Sequence, residues 1–276
     1  MKYSGSLSDA EREKADYEII GVPYDGNALK KGASKGPAAI RKASQRLETF
    51  LWHQKLELSE LLYYDCGDVN LESVQNQEFY TRQKIFLGGD HSISFPLFQY
   101  FFDRLEVEKV IVIDAHADFR YSYRNNNFSN ACVMRRIAEL AGFENVIEIG
   151  VRSASAAEYE FMKDRIRIYD AKMLAEEGAL EGIVKGKTYL SIDIDVLDPG
   201  IAPGVEHPEP CGMSLESLIS VVRGLMANVE VVVTDVTEVN PQLDSTNGIT
   251  SINAARLVFE ILACYGHNVI KNDAPI

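Results

Sequence analysis

Short apolar runs rich in β-branched residues recur along the chain, and they constrain its fold more than any other feature. Each run ends in polar residues or glycine, and helix-like stretches separate the runs. Continuous apolar runs of this length are typical of strands that are covered on both faces, as in a mainly parallel sheet. The runs lie at residues 17–22, 84–87, 109–114, 145–151, 188–195 and 229–238.

The stretches between these runs carry the start and stop signals of helices. One begins at Pro37, where a proline at the first helical position loses no hydrogen bond, and two end before Gly142 and Gly266. Strands that alternate with helices in this way predict an α/β fold with three layers, α/β/α, around a mainly parallel sheet. The predicted helices lie at residues 37–50, 131–141, 214–226 and 251–265.

The length of 276 residues fits one large α/β domain as well as two smaller ones. Because the sequence has no internal repeat and no low-complexity linker, we predict a single domain over residues 1–276. Residues 1–15 and 269–276 are predicted to be loosely attached, since the ends of a chain are often poorly ordered.

The charge and cysteine content exclude several classes of partner. The 28 Lys and Arg residues against 41 Asp and Glu residues give a net charge of −13, which repels nucleic acids. No apolar run approaches the ~18 residues of a membrane span. The cysteines form no C-x-x-C pair, so we expect reduced thiols, no thiolate metal site and a cytoplasmic protein. They are Cys66, Cys132, Cys211 and Cys264.

Acidic and histidine residues follow three of the predicted strands. One strand leads into Asp-Ala-His-Ala-Asp and a second into Asp-Ile-Asp, so that charged residues share one face if the chain stays extended. A third strand leads through two glycines, which permit a tight turn, to Asp-His. Because ligands of open α/β sheets bind beyond the carboxyl ends of the strands, we expect these side chains to meet there. The candidate ligands are His91, Asp114, His116, Asp118, Asp193 and Asp195.

Carboxylates can be buried together only if cations neutralise them, because like charges a few Å apart cannot all stay ionised. Two divalent ions would balance the charge, and the two imidazoles would complete an oxygen-rich, sulfur-free set of ligands. Such a set favours Mn²⁺ over structural Zn²⁺, while ligand softness alone leaves Fe, Co and Zn open. By themselves, the Asp-Ile-Asp and Gly-Gly-Asp-His motifs are more typical of a helix cap or a turn, whereas Asp-Ala-His-Ala-Asp alone already favours metal. The occurrence of all three on successive strands favours a metal site.

Several segments resemble the hallmark sequences of the arginase/agmatinase ureohydrolase family. Residues 88–92 read GGDHS, residues 114–118 read DAHAD and residues 191–199 read SIDIDVLDP. Other segments of the chain also resemble family sequences: GASKGPAAIR at 32–41, CGDV at 66–69, GVRS at 150–153 and TEVNP at 237–241. The resemblance spans most of the chain, and it implies an arginase-like fold and an enzyme that hydrolyses a linear guanidino compound.

The resemblance also implies a binuclear manganese centre with two Mn²⁺ ions per chain. The family's ligand sets carry over to His91, Asp114, Asp118 and Asp193 for one ion, and to His116, Asp114, Asp193 and Asp195 for the other. Such a pair of ions lowers the pKa of a shared water molecule. The resemblance further implies that Asp118 passes a proton to the leaving amine and that Glu238 pairs with the guanidinium group of the substrate.

One position departs from the family pattern. Agmatinase-like chains usually carry a histidine where this chain has Asn130, and in the family that imidazole is thought to shuttle protons or hold the intermediate. Asparagine forms hydrogen bonds but does not titrate, so we hypothesise that turnover is slower or uses another proton route. His207, in a predicted loop at residues 199–212, is a candidate to replace the missing imidazole or to bind substrate. The alternative is an ordinary exposed loop histidine.

The form of these motifs favours agmatine as the substrate, with putrescine and urea as products. The predicted loop at residues 119–129 holds Arg120 and Arg124, which equally favour a carboxylate-bearing substrate such as guanidinobutyrate, and arginine is a further alternative. Asn130 supports a different reading, a metal-loaded but catalytically impaired homologue. A metal-dependent deacetylase would need another ligand spacing. Family members are usually trimers or hexamers, so we expect a homo-oligomer.

Overall fold

The predicted strands form the middle of a sheet in which all strand pairings are parallel. The computed structural model describes residues 1–170 and 186–272, with residues 267–272 as backbone only. The strands of this sheet are β1 (Tyr17–Gly21), β4 (Tyr63–Asp68), β5 (Gln83–Leu87), β6 (Lys109–Ile113), β7 (Val146–Ile149), β8 (Arg167–Tyr169), β9 (Lys187–Asp193) and β10 (Glu230–Thr237). A separate antiparallel pair joins β2 (Phe50–Leu51) to β3 (Leu56–Glu57).

The strand order in the sheet is β4-β1-β5-β10-β9-β6-β7-β8. Each predicted apolar run forms one of the six inner strands, so that part of the prediction is confirmed. The two edge strands, β4 and β8, were not predicted. Their sequences, YYDCGD and RIY, lack the apolar pattern because an edge strand has a neighbour on one side only.

Six α-helices are present in the described part of the chain, and two of the four predicted helices differ from the observed ones by more than two residues at one end. The prediction of a helix at 37–50 is wrong beyond residue 44, because the following chain turns into the β2–β3 pair. The last helix is longer than predicted, and the second and fourth were not predicted. The helices are α1 (Gly36–Ser44), α2 (Ser94–Phe101), α3 (Val133–Ala141), α4 (Ala156–Met162), α5 (Leu215–Asn228) and α6 (Ile249–Asn272).

The helices cover the sheet on both faces and make three layers. Helices α1, α5 and α6 contribute Ile40, Val222 and Leu257 to one apolar cluster, into which alternate strand residues also point. Helices α2 and α3 contribute Leu97 and Ile137 to the cluster on the other face. This arrangement confirms the predicted α/β/α fold with a mainly parallel sheet. None of the described helices is long and apolar enough to cross a membrane.

The first residues of the chain are packed against the domain, so the prediction that residues 1–15 are loosely attached is wrong. Tyr3 is only 2% exposed, and its N–H donates to Asp65 Oδ2 at 2.7 Å. Its hydroxyl donates to the carbonyl oxygen of Ala255 in α6, which anchors the segment across the molecule. At the other end α6 reaches residue 272, and residues 273–276 lie outside the described part. The single domain over 1–276 stays a prediction.

The strand order brings together the segments that carry the candidate ligands. Strands β5, β10, β9 and β6 are neighbours in the middle of the sheet, and their carboxyl ends lie side by side at one end of the strands. The loops at residues 119–129 and 199–212 are irregular, as predicted, and both follow strands whose carboxyl ends lie there. Ligand sites of open α/β sheets lie at this end of the strands.

Candidate metal centre

The turn after β5 places His91 over the end of the sheet. A Cβ atom at Gly89 would lie 1.6 Å from the carbonyl oxygen of Tyr24, so only glycine fits this close approach of two backbones. Asp90 fixes the turn, because its carboxylate accepts the N–H groups of Asn27, Ala28 and Ser92. The predicted tight turn is therefore present.

His91 faces three carboxylates at the end of the sheet. Its Nδ1 lies 3.1 Å from Asp114 Oδ2, 3.2 Å from Asp118 Oδ2 and 3.3 Å from Asp193 Oδ2. The imidazole is 1% exposed, and its backbone N–H donates to Glu238 Oε1 at 2.7 Å. One imidazole nitrogen and three acidic oxygens thus converge in a buried space.

A second group of ligand atoms lies beside the first. His116 Nδ1 is 2.8 Å from Asp195 Oδ2 and 3.7 Å from Asp114 Oδ1. The ligand atoms of His91, Asp114 and Asp193 lie within 4.8 Å of one another, and so do those of Asp114, His116 and Asp195. The two groups share Asp114, which offers one oxygen to each.

The chain reaches this arrangement through turns and not through the extended geometry that the sequence analysis assumed. Asp118 has a φ of +51°, in the left-handed region, and Asp195 lies in a 3₁₀ turn after β9. The carboxylate of Asp193 accepts the N–H of Asp195 at 2.9 Å, and that of Asp114 accepts the N–H of His116 at 2.6 Å. The predicted residues converge, but Asp114 and Asp193 also fix their own turns.

Burial and mutual repulsion determine the pKa values in this cluster. Burial, and then the charge of Asp114, raises the pKa of Asp118 to about 6. Burial and the charges of neighbouring acids hold the pKa of Asp193 well above its usual range. Burial would lower the pKa of His116, but hydrogen bonds to two carboxylates raise it to about 12. The cluster therefore needs positive charge, which either protons or metal ions supply.

The hydrogen-bond network favours a metal ion between these groups. Among the described residues, His91 Nδ1 and Asp114 Oδ2 are buried polar atoms without a hydrogen-bond partner. The other nitrogen of His91, Nε2, lies 3.0 Å from Ser191 Oγ, and the Ser191 hydroxyl donates its only hydrogen to Asp235 Oδ1 at 2.6 Å. Nε2 is then the donor, and a neutral imidazole directs the Nδ1 lone pair at the carboxylates. Lone pairs converge in this way around a cation, and the imidazole and carboxylate donors suit Mn²⁺.

A cavity of about 300 Å³ opens beside His116 and Asp195 of the second ligand group and beside Asp118. Glu238, at the end of β10, has a φ of +65° that turns it into this site. Its Oε2 is buried without a hydrogen-bond partner among the described residues, and burial, with the nearby charge of Asp90, holds its pKa well above the usual range. The cavity is lined by His116, Asp118, Arg120, Tyr123, Asn130, Ser153, Ser155, Glu158, Asp195, His207 and Glu238, among others.

Three other predicted residues lie on the wall of this cavity. Asn130 accepts the hydroxyl of Ser129 at 2.9 Å. The ring of His207 contacts that of His116 edge to face, with 6.2 Å between the ring centroids. Arg120 lies 3.5 Å from the carboxylate of Glu158, so its charge is already partly balanced.

Two polar residues around the site, one buried and one half-buried, were not predicted to contribute to it. Glu148 in β7 is fully buried, and its two oxygens have no hydrogen-bond partner among the described residues. Arg152 donates to the carbonyl oxygens of residues 195, 196, 209 and 210, and so fastens the loop at 199–212 to the end of β9. A single acid inside an apolar strand, as in Val-Ile-Glu-Ile, is a signal that could have identified Glu148 and also Asp235 in β10.

The comparisons with known proteins agree with this site. The Arginase family model matches residues 15–264. The agmatinase of Halalkalibacterium halodurans is 33% identical over 281 residues, which cover 94% of this chain and 96% of that protein. The N(1)-aminopropylagmatine ureohydrolase of Thermococcus kodakarensis is 31% identical over 269 residues, which cover 90% of each.

Two solved structures share the fold. The agmatine ureohydrolase of Thermoplasma volcanium has a TM-score of 0.84 at 26% identity, over 98% of this chain and 96% of that one. The proclavaminate amidino hydrolase of Streptomyces clavuligerus has a TM-score of 0.82 at 26% identity, over 91% of this chain and 92% of that one. With a family model that covers most of its length and relatives that match nearly end to end, the chain belongs to the arginase family.

Proposed function

We propose that this arginase-family enzyme hydrolyses agmatine to putrescine and urea with a binuclear manganese centre. One observation carries the proposal: two groups of His and Asp ligands share Asp114 beside the unpartnered carboxylate oxygen of Glu238. The names of similar proteins, agmatinase and agmatine ureohydrolase, support a guanidino substrate of this kind.

Two sets of residues would hold the two ions. His91, Asp114, Asp118 and Asp193 would hold one, and His116, Asp114, Asp193 and Asp195 would hold the other. Bound divalent ions lower the pKa of a shared water molecule, which makes hydroxide available at neutral pH.

The residues of the chain then bind the substrate and move its protons. The buried carboxylate of Glu238 pairs with the planar guanidinium group and fixes its orientation. The oxygen of water adds to the guanidinium carbon, and the bond from that carbon to the alkylated nitrogen breaks. One of the water's two protons goes to solvent, and Asp118 passes the other from the added oxygen to the departing amine, which leaves urea as the second product.

Position 130 is where the site departs from the family pattern, and His207 lines the same cavity. Asn130 holds the intermediate through hydrogen bonds but does not transfer protons. His207 lies on the same cavity wall as His116, and it is our candidate for binding the substrate in place of the missing imidazole. A homologue that binds metal but turns over slowly is the second candidate function, and Asn130 is the observation that favours it.

The far end of the substrate lies toward Arg120 in this proposal. Because Glu158 pairs with Arg120, this end of the cavity carries little net charge, which allows an amine as well as a carboxylate. Guanidinobutyrate and arginine are therefore the competing substrates. The four free thiols agree with a cytoplasmic location, and a trimer or hexamer stays an expectation from the family.

The test is urea release by the Mn²⁺-loaded protein from agmatine, arginine and guanidinobutyrate, with bound metal counted in the same sample. We expect two metals per chain and the highest kcat/KM with agmatine. Two bound metals without urea from any of these substrates would favour the impaired homologue, and a preference for guanidinobutyrate would contradict the choice of agmatine.

A pair of variants tests the assignment of Glu238. We expect Glu238→Gln to lose the charged partner of the guanidinium at a cost of about 2–5 kcal/mol, which is a loss of roughly 30-fold or more in kcat/KM. Glu216→Gln makes the same change at an exposed position in α5 and serves as the matched control. Equal activity of the two variants would refute the role of Glu238.

A further inference from the structure

A chain of buried hydrogen bonds runs from His91 into the protein. Nε2 of His91 lies 3.0 Å from Ser191 Oγ, and Ser191 Oγ lies 2.6 Å from Asp235 Oδ1. The second oxygen of Asp235 accepts the hydroxyl of Tyr189 at 2.5 Å. All four side chains are buried, and Asp235 has no exposed surface. The carboxylate of Asp235 therefore accepts hydrogen bonds from Ser191 and Tyr189, lies beside the hydroxyl of Ser94, and has no contact with solvent.

The direction of these hydrogen bonds determines which imidazole nitrogen is free to bind a cation. A serine hydroxyl has one hydrogen, and Ser191 donates it to Asp235. Ser191 can then only accept from His91, so Nε2 carries a hydrogen. The remaining nitrogen, Nδ1, is the one that faces Asp114, Asp118 and Asp193.

The other metal position is built differently. The side chain of His116 is 24% exposed, and its ring lies against that of His207 at the cavity wall. His91 is thus buried and linked to a buried carboxylate, whereas His116 borders the cavity. A substitution in the hydrogen-bond chain beyond His91 should affect the metal position of His91 more than that of His116.

We propose that Asp235, acting through Ser191, is a positioning residue that holds His91 in the tautomer able to bind metal and so sets the affinity of the metal position that His91 serves. This inference rests on the proposed two-metal function. Groups that hydrogen-bond to the far nitrogen of a metal-binding histidine fix its tautomer and raise its basicity.

The isosteric variant Asp235→Asn should reverse the chain of hydrogen bonds. The amide oxygen keeps the hydroxyl of Tyr189 as its donor, and the amide nitrogen then donates to Ser191. Ser191 turns its own hydrogen toward Nε2 of His91, which moves the imidazole hydrogen to Nδ1, the atom that must bind the metal. Ser191→Ala acts differently, because it removes the link and leaves Nε2 without a partner.

The experiment is a titration of the metal-free protein with Mn²⁺. Binding is monitored by calorimetry and, separately, by the electron paramagnetic resonance signal of free Mn²⁺. We expect two binding steps in the wild type. In Asp235→Asn and in Ser191→Ala we expect one step to weaken by roughly 10- to 100-fold and the other to change by less than about threefold. Thr234→Val is the matched control, because Thr234 is a buried neighbour on the same strand that bonds to Tyr265 and not to His91.

The outcomes separate this inference from the proposed function. A wild type that binds no Mn²⁺, or only one ion, contradicts the proposed two-metal function itself. A wild type with two steps whose constants persist in both variants contradicts the role of Asp235. Equal weakening of both steps also contradicts it, since a general disturbance of the sheet would act on both positions. Thermal unfolding identifies a variant that fails to fold. If one of the two variants fails, the metal titration of the other one tests the role of Asp235.

Discussion

Replacing Asp118 by asparagine should stabilise the metal-free protein, although the residue is a proposed metal ligand. The carboxyl group is buried beside other acids, and burial raises its pKa from 3.8 to about 6. A shift of roughly two units, at about 1.4 kcal/mol per unit, corresponds to about 3 kcal/mol of unfolding free energy that the ionised group costs at neutral pH. Asparagine removes that cost and also tolerates the left-handed backbone at this position.

The sign of the pH dependence follows from the direction of the shift. Because the folded protein binds the proton more tightly than the unfolded chain, stability falls as pH rises from about 4 to about 6. Metal-free wild type should therefore be more stable at pH 5 than at pH 7, and Asp118→Asn should lack this part of the slope.

Thermal unfolding with and without manganese gives the assay. In a metal chelator at pH 7, about 3 kcal/mol should raise the Tm of the variant by roughly 6–12 °C above wild type, at about 2–4 °C per kcal/mol for chains of similar size. With Mn²⁺ at 100 times the dissociation constant, wild type should gain about 2.7 kcal/mol per site, and the variant should gain less. The difference between the Tm of the variant and that of wild type should therefore fall toward zero or change sign.

The control is Asp164→Asn, which removes an exposed acid that belongs to neither ligand group and does not line the cavity. It should change neither the Tm measured in chelator nor the increase in Tm that Mn²⁺ gives. If Asp118→Asn melts no higher than wild type in chelator, the buried carboxylates do not repel one another as the structure indicates, and the reasoning is refuted.

Three further changes test other parts of the structure. Burial lowers the pKa of Lys84 to about 8, so Lys84→Met should add about 3 kcal/mol to the free energy of unfolding at pH 7. In denaturant titrations, wild type should become more stable between pH 8 and 10, and the Met variant should not. Gly89→Ala puts a Cβ atom onto the carbonyl of Tyr24 and should abolish Mn²⁺ binding measured by metal analysis, whereas Gly200→Ala should retain it. Asn130→His should raise kcat for urea release, by as much as ~10²-fold if proton transfer limits the rate, and an unchanged kcat would refute the hypothesis about position 130.

The sequence predicted the inner strands and the candidate ligands that the structure brings together, because both are encoded locally. An apolar run followed at once by Asp114, His116 and Asp118 identifies a buried strand end with its chemistry. The turns that bring these residues together were not predictable in the same way. The left-handed conformation of Asp118 has no local sequence signal, and the carboxylate of Asp195 accepts the N–H of Ala115, which lies 80 positions away along the chain.

What the sequence analysis missed is mostly non-local. Tyr3 looked like part of a polar terminus, and its anchor at Ala255 lies 252 positions away along the chain. The edge strands β4 and β8 have no apolar signature, since each is covered less than the inner strands. The roles of Ser191 and Asp235 were likewise hidden, because a polar residue in a strand says nothing about the partner it meets on the next strand.

The strand order makes metal binding a late event in folding. His91 follows β5, and the acids Asp193 and Asp195 follow β9, but these strands are not neighbours: β10, the last strand of the sheet, lies between them. A chain still emerging from the ribosome therefore holds all six ligands long before it can assemble them. Manganese should bind only after residues 230–237 have entered the sheet, so that retained metal reports a completed fold.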